Sequence, residues 1–198
     1  DWPQPVWAHL PLVLNPSGQG KLSKRSGAGD SGELLTQVRQ YRAAGYLPEA
    51  MANFLALLGW AYSGDQEVFD LEQAAHRFDL ADVRPAPSAW DVAKLRAMNG
   101  LYIRALDPAD LAERLVPFLR DAGLPAERDR VVPMVPLVQE RLETLADGAK
   151  WLAFFWARTV TPSPEDLVPR KLDPAAARDL LAAARSALAT VQPWSAEG

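Results

Sequence analysis

Apolar residues recur at helical spacing along most of this chain, and prolines, glycines and acid–proline pairs mark where the stripes begin and end. Leu34, Leu35, Val38 and Tyr41 form one stripe, which predicts a helix over 33–44 closed by Gly45. Pro48 sits where a first-turn proline belongs and opens a strongly apolar helix through Ala50, Phe54, Leu55, Leu57 and Leu58 to Gly59-Trp60. Asp70 and Gln73 have the spacing of a capping pair for a short helix through Phe78. Beyond the proline-rich link 84–88, a helix is predicted from about 91 to 98, and Asp107-Pro108 starts another that Gly123 stops. The prolines at 133 and 136 limit where later helices begin. Residues 137–145 and 149–157 read as a helical pair, and Pro162-Ser163-Pro164 as a surface link. Asp173-Pro174 opens an alanine-rich helix to about 191.

The first 32 residues follow a different pattern. Leu10-Pro11-Leu12-Val13-Leu14 is one short strand candidate, followed by the turn Asn15-Pro16-Ser17-Gly18-Gln19-Gly20 and a Gly/Ser-rich stretch over 26–32. The fold class is therefore mainly α behind a short extended N-terminal segment. An aromatic-rich compact part gives way to longer amphipathic helices near 104–107, where a domain boundary is expected.

Composition narrows the chemistry. The chain has no cysteine, which excludes disulfides, thiolate metal sites and cysteine nucleophiles, and fits the cytosol. With His9 and His76 as its only histidines, a histidine-built metal centre is disfavoured, and no metal site is expected. No apolar run is long enough to cross a bilayer. At a formal net charge of −4, a nucleic-acid partner must be met by a local basic face. The chain opens on Asp1-Trp2-Pro3 and closes on Trp194-Ser195-Ala196-Glu197-Gly198, a helix start with no helix after it, so a fragment of a longer protein is expected.

Lys21-Leu22-Ser23-Lys24-Arg25 carries the chemistry. Three cations surround a serine just after the strand candidate and the glycine turn, an arrangement that delivers mobile ammonium groups to phosphate oxygens. A solvated basic turn is the plainer alternative, and Arg25 could equally pair with Asp30.

This pentapeptide resembles the Lys-Met-Ser-Lys-Ser signature of class I aminoacyl-tRNA synthetases, in the Leu/Arg form common in glutamyl-tRNA synthetases. Ala8-His9-Leu10-Pro11-Leu12 precedes it, and Gly45-Tyr46-Leu47-Pro48-Glu49-Ala50 follows, with Asn53 and Leu57-Leu58-Gly59-Trp60. Phe69-Asp70-Leu71-Glu72 and the set Leu95, Met98, Asn99, Gly100, Tyr102, Ile103 and Arg104 complete the order. The chain is similar to bacterial glutamyl-tRNA synthetases, densely to about 106 and in pattern beyond. Residues 26–41 are several residues longer than that family's usual segment, with extra glycines.

The resemblance implies the end of a catalytic domain at 1–32, a helical stem-contact domain at 33–106 and a first helical anticodon-binding domain at 107–198. It implies a ligase that activates glutamate with ATP and Mg2+, transfers it to tRNA(Glu), and works in the cytoplasm as a monomer without a membrane. Lys24 would contact the ATP phosphates, Lys21 and Arg25 would support it, and Ser23 would shape the loop. Candidate tRNA contacts are Arg39, Arg42, Lys94, Arg96, Tyr102 and Arg104, with Tyr41 beside the first pair. Asn99-Gly100 could be a helix C-cap or a binding element, and His9 is expected in a structural hydrogen bond. Alone, the fragment is expected to be inactive. Two alternatives stand beside this: a non-catalytic RNA-binding or interaction module derived from a synthetase, and a non-discriminating enzyme that also glutamylates tRNA(Gln). No apolar helix stripe is expected to be left open.

Overall fold

In the computed structural model, residues 2–5, 7–23, 35–169 and 171–191 are described. They fall into two compact units, 1–156 and 157–198.

The larger unit begins with β1 (Val13–Leu14), which pairs in parallel with β2 (Ser88–Ala89), Val13 opposite Ser88 and Leu14 opposite Ala89. Helix α1 (Val38–Ala43) starts later than its apolar stripe suggests, because the Gln40 side chain accepts from the Thr36 and Gln37 amides and sets the first turn there. Gly45, at φ +83°, closes it as expected. Pro48 occupies the first turn of α2 (Pro48–Leu57). Asp70 caps α3 (Leu71–Arg77) by accepting from the Gln73 amide at 2.9 Å.

Helix α4 (Val92–Ala105) runs seven residues past Met98, so Asn99-Gly100 is helix interior and not a C-cap. Tertiary contacts permit this. The Asn99 side chain has no need to compete for its own backbone, since it is fully buried and held by two distant partners, Leu47 and Glu143. Gly100 lets the chain pass close to the Leu142 carbonyl, which would lie 3.4 Å from an added Cβ. Asp107 and Pro108 start α5 (Pro108–Asp121), and Gly123 follows its end at φ +80°.

After α6 (Arg128–Val131) and a 3-10 turn at Val132–Met134, the helix predicted over 137–145 is instead broken into α7 (Val135–Val138) and a second 3-10 turn at Gln139–Arg141, while the one predicted over 149–157 is present. After an extended Leu142 come α8 (Asp147–Leu152) and a 3-10 turn at Ala153–Trp156. Two side chains break the first of these expected helices. The Gln139 amide lies 3.0, 3.2 and 2.9 Å from the Ile103, Arg104 and Leu106 carbonyls, closing the end of α4. Asp147 accepts from the Thr144 amide and hydroxyl, holding a tight turn ahead of α8.

One core joins these parts: Leu47, Ala50 and Ile103 pack with Leu111, Leu115 and Leu119 of α5 and with Leu142 and Leu152. It therefore takes residues from both sides of 106. Tyr41, Phe54, Trp90, Leu95 and Met98 form a second cluster, and Trp60, Phe69 and Ala74 a third.

In the smaller unit, Ser163 makes a capping box with Asp166 and opens α9 (Pro164–Leu167), where only a link is predicted. Asp173 accepts from the Ala175 and Ala176 amides to cap α10 (Pro174–Leu188), and these bonds hold its carboxyl below the usual range. Leu180, Leu181 and Leu188 on α10 are exposed, contrary to the expectation that no apolar helix stripe is left open.

Candidate functional site

The segment leading to the basic pentapeptide is built by its turn. Asn15 holds both ends: its amide donates to the Gly20 carbonyl at 3.0 Å, and its side-chain oxygen accepts from Ser17. Gly18 and Gly20 adopt φ of +73° and +78°, a region where an L-residue would be strained. The chain thereby reverses, Lys21 pairs back across Leu14, and the Leu22 amide donates to the Val13 carbonyl at 2.9 Å. Lys21 is exposed and Ser23 half-buried, while Lys24 and Arg25 lie outside the described residues, as do Ser26 to Gly32.

Behind this segment a hydrogen-bonded aromatic chain fixes β1. The Trp90 amide donates to the Leu14 carbonyl, the Trp90 indole to the Tyr41 hydroxyl at 2.8 Å, and that hydroxyl to the Leu35 carbonyl at 2.6 Å. Burial pushes the Tyr41 phenol up to about 12, against the opposing effect of the indole bond. Phe54 packs edge-on against Trp90.

The other candidates stand on α1 and α4. Lys94 pairs with Glu67. Arg96 pairs with Glu143 and, at 3.4 Å, with Asp147; the Glu143 bond is the main cause raising its pKa further. Arg104 reaches Glu140 at 4.0 Å. The Tyr102 hydroxyl is turned inward, 2.7 Å from the Asn53 side-chain oxygen and 2.9 Å from the Phe69 carbonyl, and burial raises its pKa. Arg39 and Arg42 on α1 are exposed and have no carboxylate partner among the described residues.

Trp60 and Trp90 are buried core residues. His9 is exposed and makes no hydrogen bond among the described residues, so the expected structural bond is absent there.

Two asparagines named above among the matching blocks, Asn53 and Asn99, are buried structural anchors. Asn99 accepts from the Leu47 amide at 2.8 Å and donates to the Glu143 carbonyl at 2.6 Å. Asn53 donates to the Glu67 carbonyl at 2.8 Å and accepts from the Phe69 amide at 3.3 Å. Both are fully buried, and the available signal was a lone amide on each helix's apolar face.

Residues 1–97 match the family described as "tRNA synthetases class I (E and Q), catalytic domain", and residues 110–198 match "Anticodon binding domain". The chain is 44% identical, over 98% of its length, to the glutamate–tRNA ligase of Chloroflexus aurantiacus, and 40% identical, also over 98%, to that of Roseiflexus sp..

The chain belongs to the class I tRNA synthetases of the glutamate and glutamine group.

It spans 39% and 38% of those two synthetases' lengths. The fold agrees with two solved synthetases, each superposing with a TM-score of 0.71 over 96% of this chain. One is a glutamate tRNA ligase from Elizabethkingia meningosepticum in complex with its amino acid, at 24% identity. The other is the glutamate-tRNA synthetase from Elizabethkingia anophelis, at 25%. The chain covers 40% and 39% of those two synthetases. The family implies ATP use. An exposed lysine at the base of a glycine turn suits a polyphosphate ligand. Among the described residues no group of three or more His, Cys, Asp or Glu could hold a metal ion, and no helix is long and apolar enough to cross a membrane.

Proposed function

We propose that the protein containing this chain is a glutamate–tRNA ligase of the cytoplasm, and that this chain supplies its phosphate-contacting loop and part of its tRNA-binding surface. The observation carrying this reading is the order on one chain, a catalytic-family match that contains the signature pentapeptide followed by an anticodon-family match, with close to whole-chain similarity to glutamate–tRNA ligases. Within this reading, 1–32 closes the catalytic domain, 33–106 contacts the tRNA stem, and 107–198 begins the anticodon-binding part.

Bound ATP with Mg2+ would supply the adenylyl group that activates glutamate and the pyrophosphate that leaves. The protein's part is electrostatic. Charge builds on the phosphates in the transition state, so a cation that reaches them there lowers the barrier rather than merely tightening binding. We assign that contact to Lys24, with Lys21 and Arg25 orienting the loop and Ser23 shaping it. The glycines at 18 and 20 seat the base of the loop, which the Leu22 amide anchors on the Val13 carbonyl. Lys94, Arg96 and Arg104 already hold carboxylates, so any RNA they meet must compete with those ion pairs. Tyr102 would act through packing.

The test is Lys24→Ala in the full-length enzyme. Glutamate-dependent exchange of pyrophosphate into ATP is expected to fall at least about 100-fold, with tRNA affinity changed little. An exchange rate within a factor of two of wild type would remove Lys24 from the chemistry.

A further inference from the structure

The hydrogen-bonded aromatic chain behind the glycine turn reaches further than β1. Trp90 stands between β2 and α4, where the Asp91 side chain accepts from the Lys94 amide at 2.9 Å and fixes the start of the helix. From that point Trp90 reaches in two directions. Its backbone amide donates to the Leu14 carbonyl at 3.0 Å, and the carbonyl one residue earlier, of Val13, accepts from the Leu22 amide at 2.9 Å. Its indole donates to the Tyr41 hydroxyl, which donates in turn to the Leu35 carbonyl. Residues 23–34, Lys24 and Arg25 among them, are the stretch of sequence between Leu22 and Leu35. Both stems of the signature segment are therefore tied to one pair of aromatic residues.

Chemistry sets the direction of this chain. An indole only donates and a carbonyl only accepts, so the hydroxyl between them must accept from one and donate to the other. Trp90 and Tyr41 are each 6% exposed, so a partner lost here is not readily replaced by water. Val13, Leu22 and Leu35 also pack on the cluster that these two rings form with Phe54, whose ring lies 5.1 Å from Trp90. The stems thus share a polar and an apolar anchorage. A cation that stabilises a transition state has to be held in place closely, since a displacement of about 1 Å costs about 100-fold in rate.

From this geometry we infer that Trp90 and Tyr41 are positioning residues of the adenylation step, a clamp that sets the spacing of the two stems and through it the placement of the signature lysine. The inference rests on the proposed function above, which gives Lys24 the phosphate contact. Neither ring is assigned a contact with ATP.

The experiment is glutamate-dependent pyrophosphate exchange by the full-length enzyme, measured per folded enzyme and well below the melting temperature. Trp90→Phe, Tyr41→Phe and the double variant are each compared in the wild-type and in the Lys24→Ala background. Phenylalanine keeps a ring at both positions and removes the polar atom. Tyr41→Phe deletes a single oxygen and carries the test if the smaller ring at 90 unfolds the protein. In the wild-type background each single variant is expected to lower kcat about 10- to 100-fold with KM for ATP changed less than about threefold, because placement is felt in the transition state. The double variant should lose no more than the larger single loss, since either change opens the same clamp. In the Lys24→Ala background none of the three should lower the rate further. Losses of the same size in both backgrounds would make the pair merely structural and overturn the clamp. Tyr41→Phe within about a factor of two of wild-type kcat, beside a Lys24→Ala enzyme that has lost exchange, also overturns it and leaves the proposed function standing. An unimpaired Lys24→Ala enzyme overturns the proposed function, and the clamp with it.

Discussion

Gly45 is the position where one added methyl group should do the most damage. Its φ of +83° alone disfavours any L-residue, by about 1–2 kcal/mol. A Cβ there would also lie 2.5 Å from the Ala146 nitrogen, 2.7 Å from the Leu145 nitrogen and 3.0 Å from the Leu145 Cα. These are backbone atoms, so no rotamer change relieves the clash, and the 142–147 segment must move. That movement breaks the Leu145 amide bond to the Gly45 carbonyl, 2.9 Å in the native fold, and strains the neighbouring Asn99 bonds to Leu47 and Glu143. Losing a buried hydrogen bond with its partners left unpaired adds about 1–3 kcal/mol. Gly45→Ala should therefore cost about 2–5 kcal/mol, a large part of the roughly 5–15 kcal/mol that holds a domain together. Gly123 supplies the control: it has φ +80° but nothing within 4 Å of an added Cβ, so Gly123→Ala should cost only the conformational 1–2 kcal/mol, approximately. The assay is urea unfolding of both variants and wild type, read at unchanged m-value. Equal costs at the two glycines would refute the close packing of 45 against 145–146, and with it the docking of the two segments.

Two other perturbations test the same framework. Asn99→Leu keeps the volume but leaves the Leu47 amide and the Glu143 carbonyl without partners, and should lower the unfolding free energy by about 2–5 kcal/mol; a loss below about 0.5 kcal/mol in a chemical melt would mean that those groups find water. The Tyr41 phenol, raised from 10.0 to about 12, stabilises the fold fully below pH 10, and that contribution is lost as pH rises towards 12. The stability difference between wild type and Tyr41→Phe should thus stay constant to about pH 9 and shrink by at most ~2.7 kcal/mol by pH 12; a difference that does not change with pH would show that the phenol is not buried.

Much of this architecture could be read from local chemistry. Asp70, Asp107 and Asp173 each accept from a backbone amide at a helix start, and Gly45 and Gly123 follow helix ends with positive φ, because caps and left-handed turns depend on a few neighbouring residues. The signature pentapeptide could likewise be read as a string, and with the blocks that follow it pointed to the family that the comparisons support. The unpredicted parts were those where a side chain answers to a partner far along the chain. Asn99 lies 52 residues from Leu47, and that bond keeps α4 helical through a dipeptide that looks like a stop. Gln139 caps a helix about 35 residues earlier and so breaks the one it was expected to join.

The candidate site divides along the same line. Sequence alone singled out Lys21, Ser23, Lys24 and Arg25, since charge, serine and glycine at short spacing are local facts. It also offered Arg39, Arg42, Lys94, Arg96 and Arg104 as equals, because a string of residues does not show which cation already has an acid beside it. The tertiary structure separated them by bringing Glu67, Glu143 and Glu140 against three and leaving two without a carboxylate partner among the described residues. Helix starts, helix stops and the basic loop were determined by residues within a few positions of one another; pairing and burial were decided by contacts that exist only once the chain has folded back on itself.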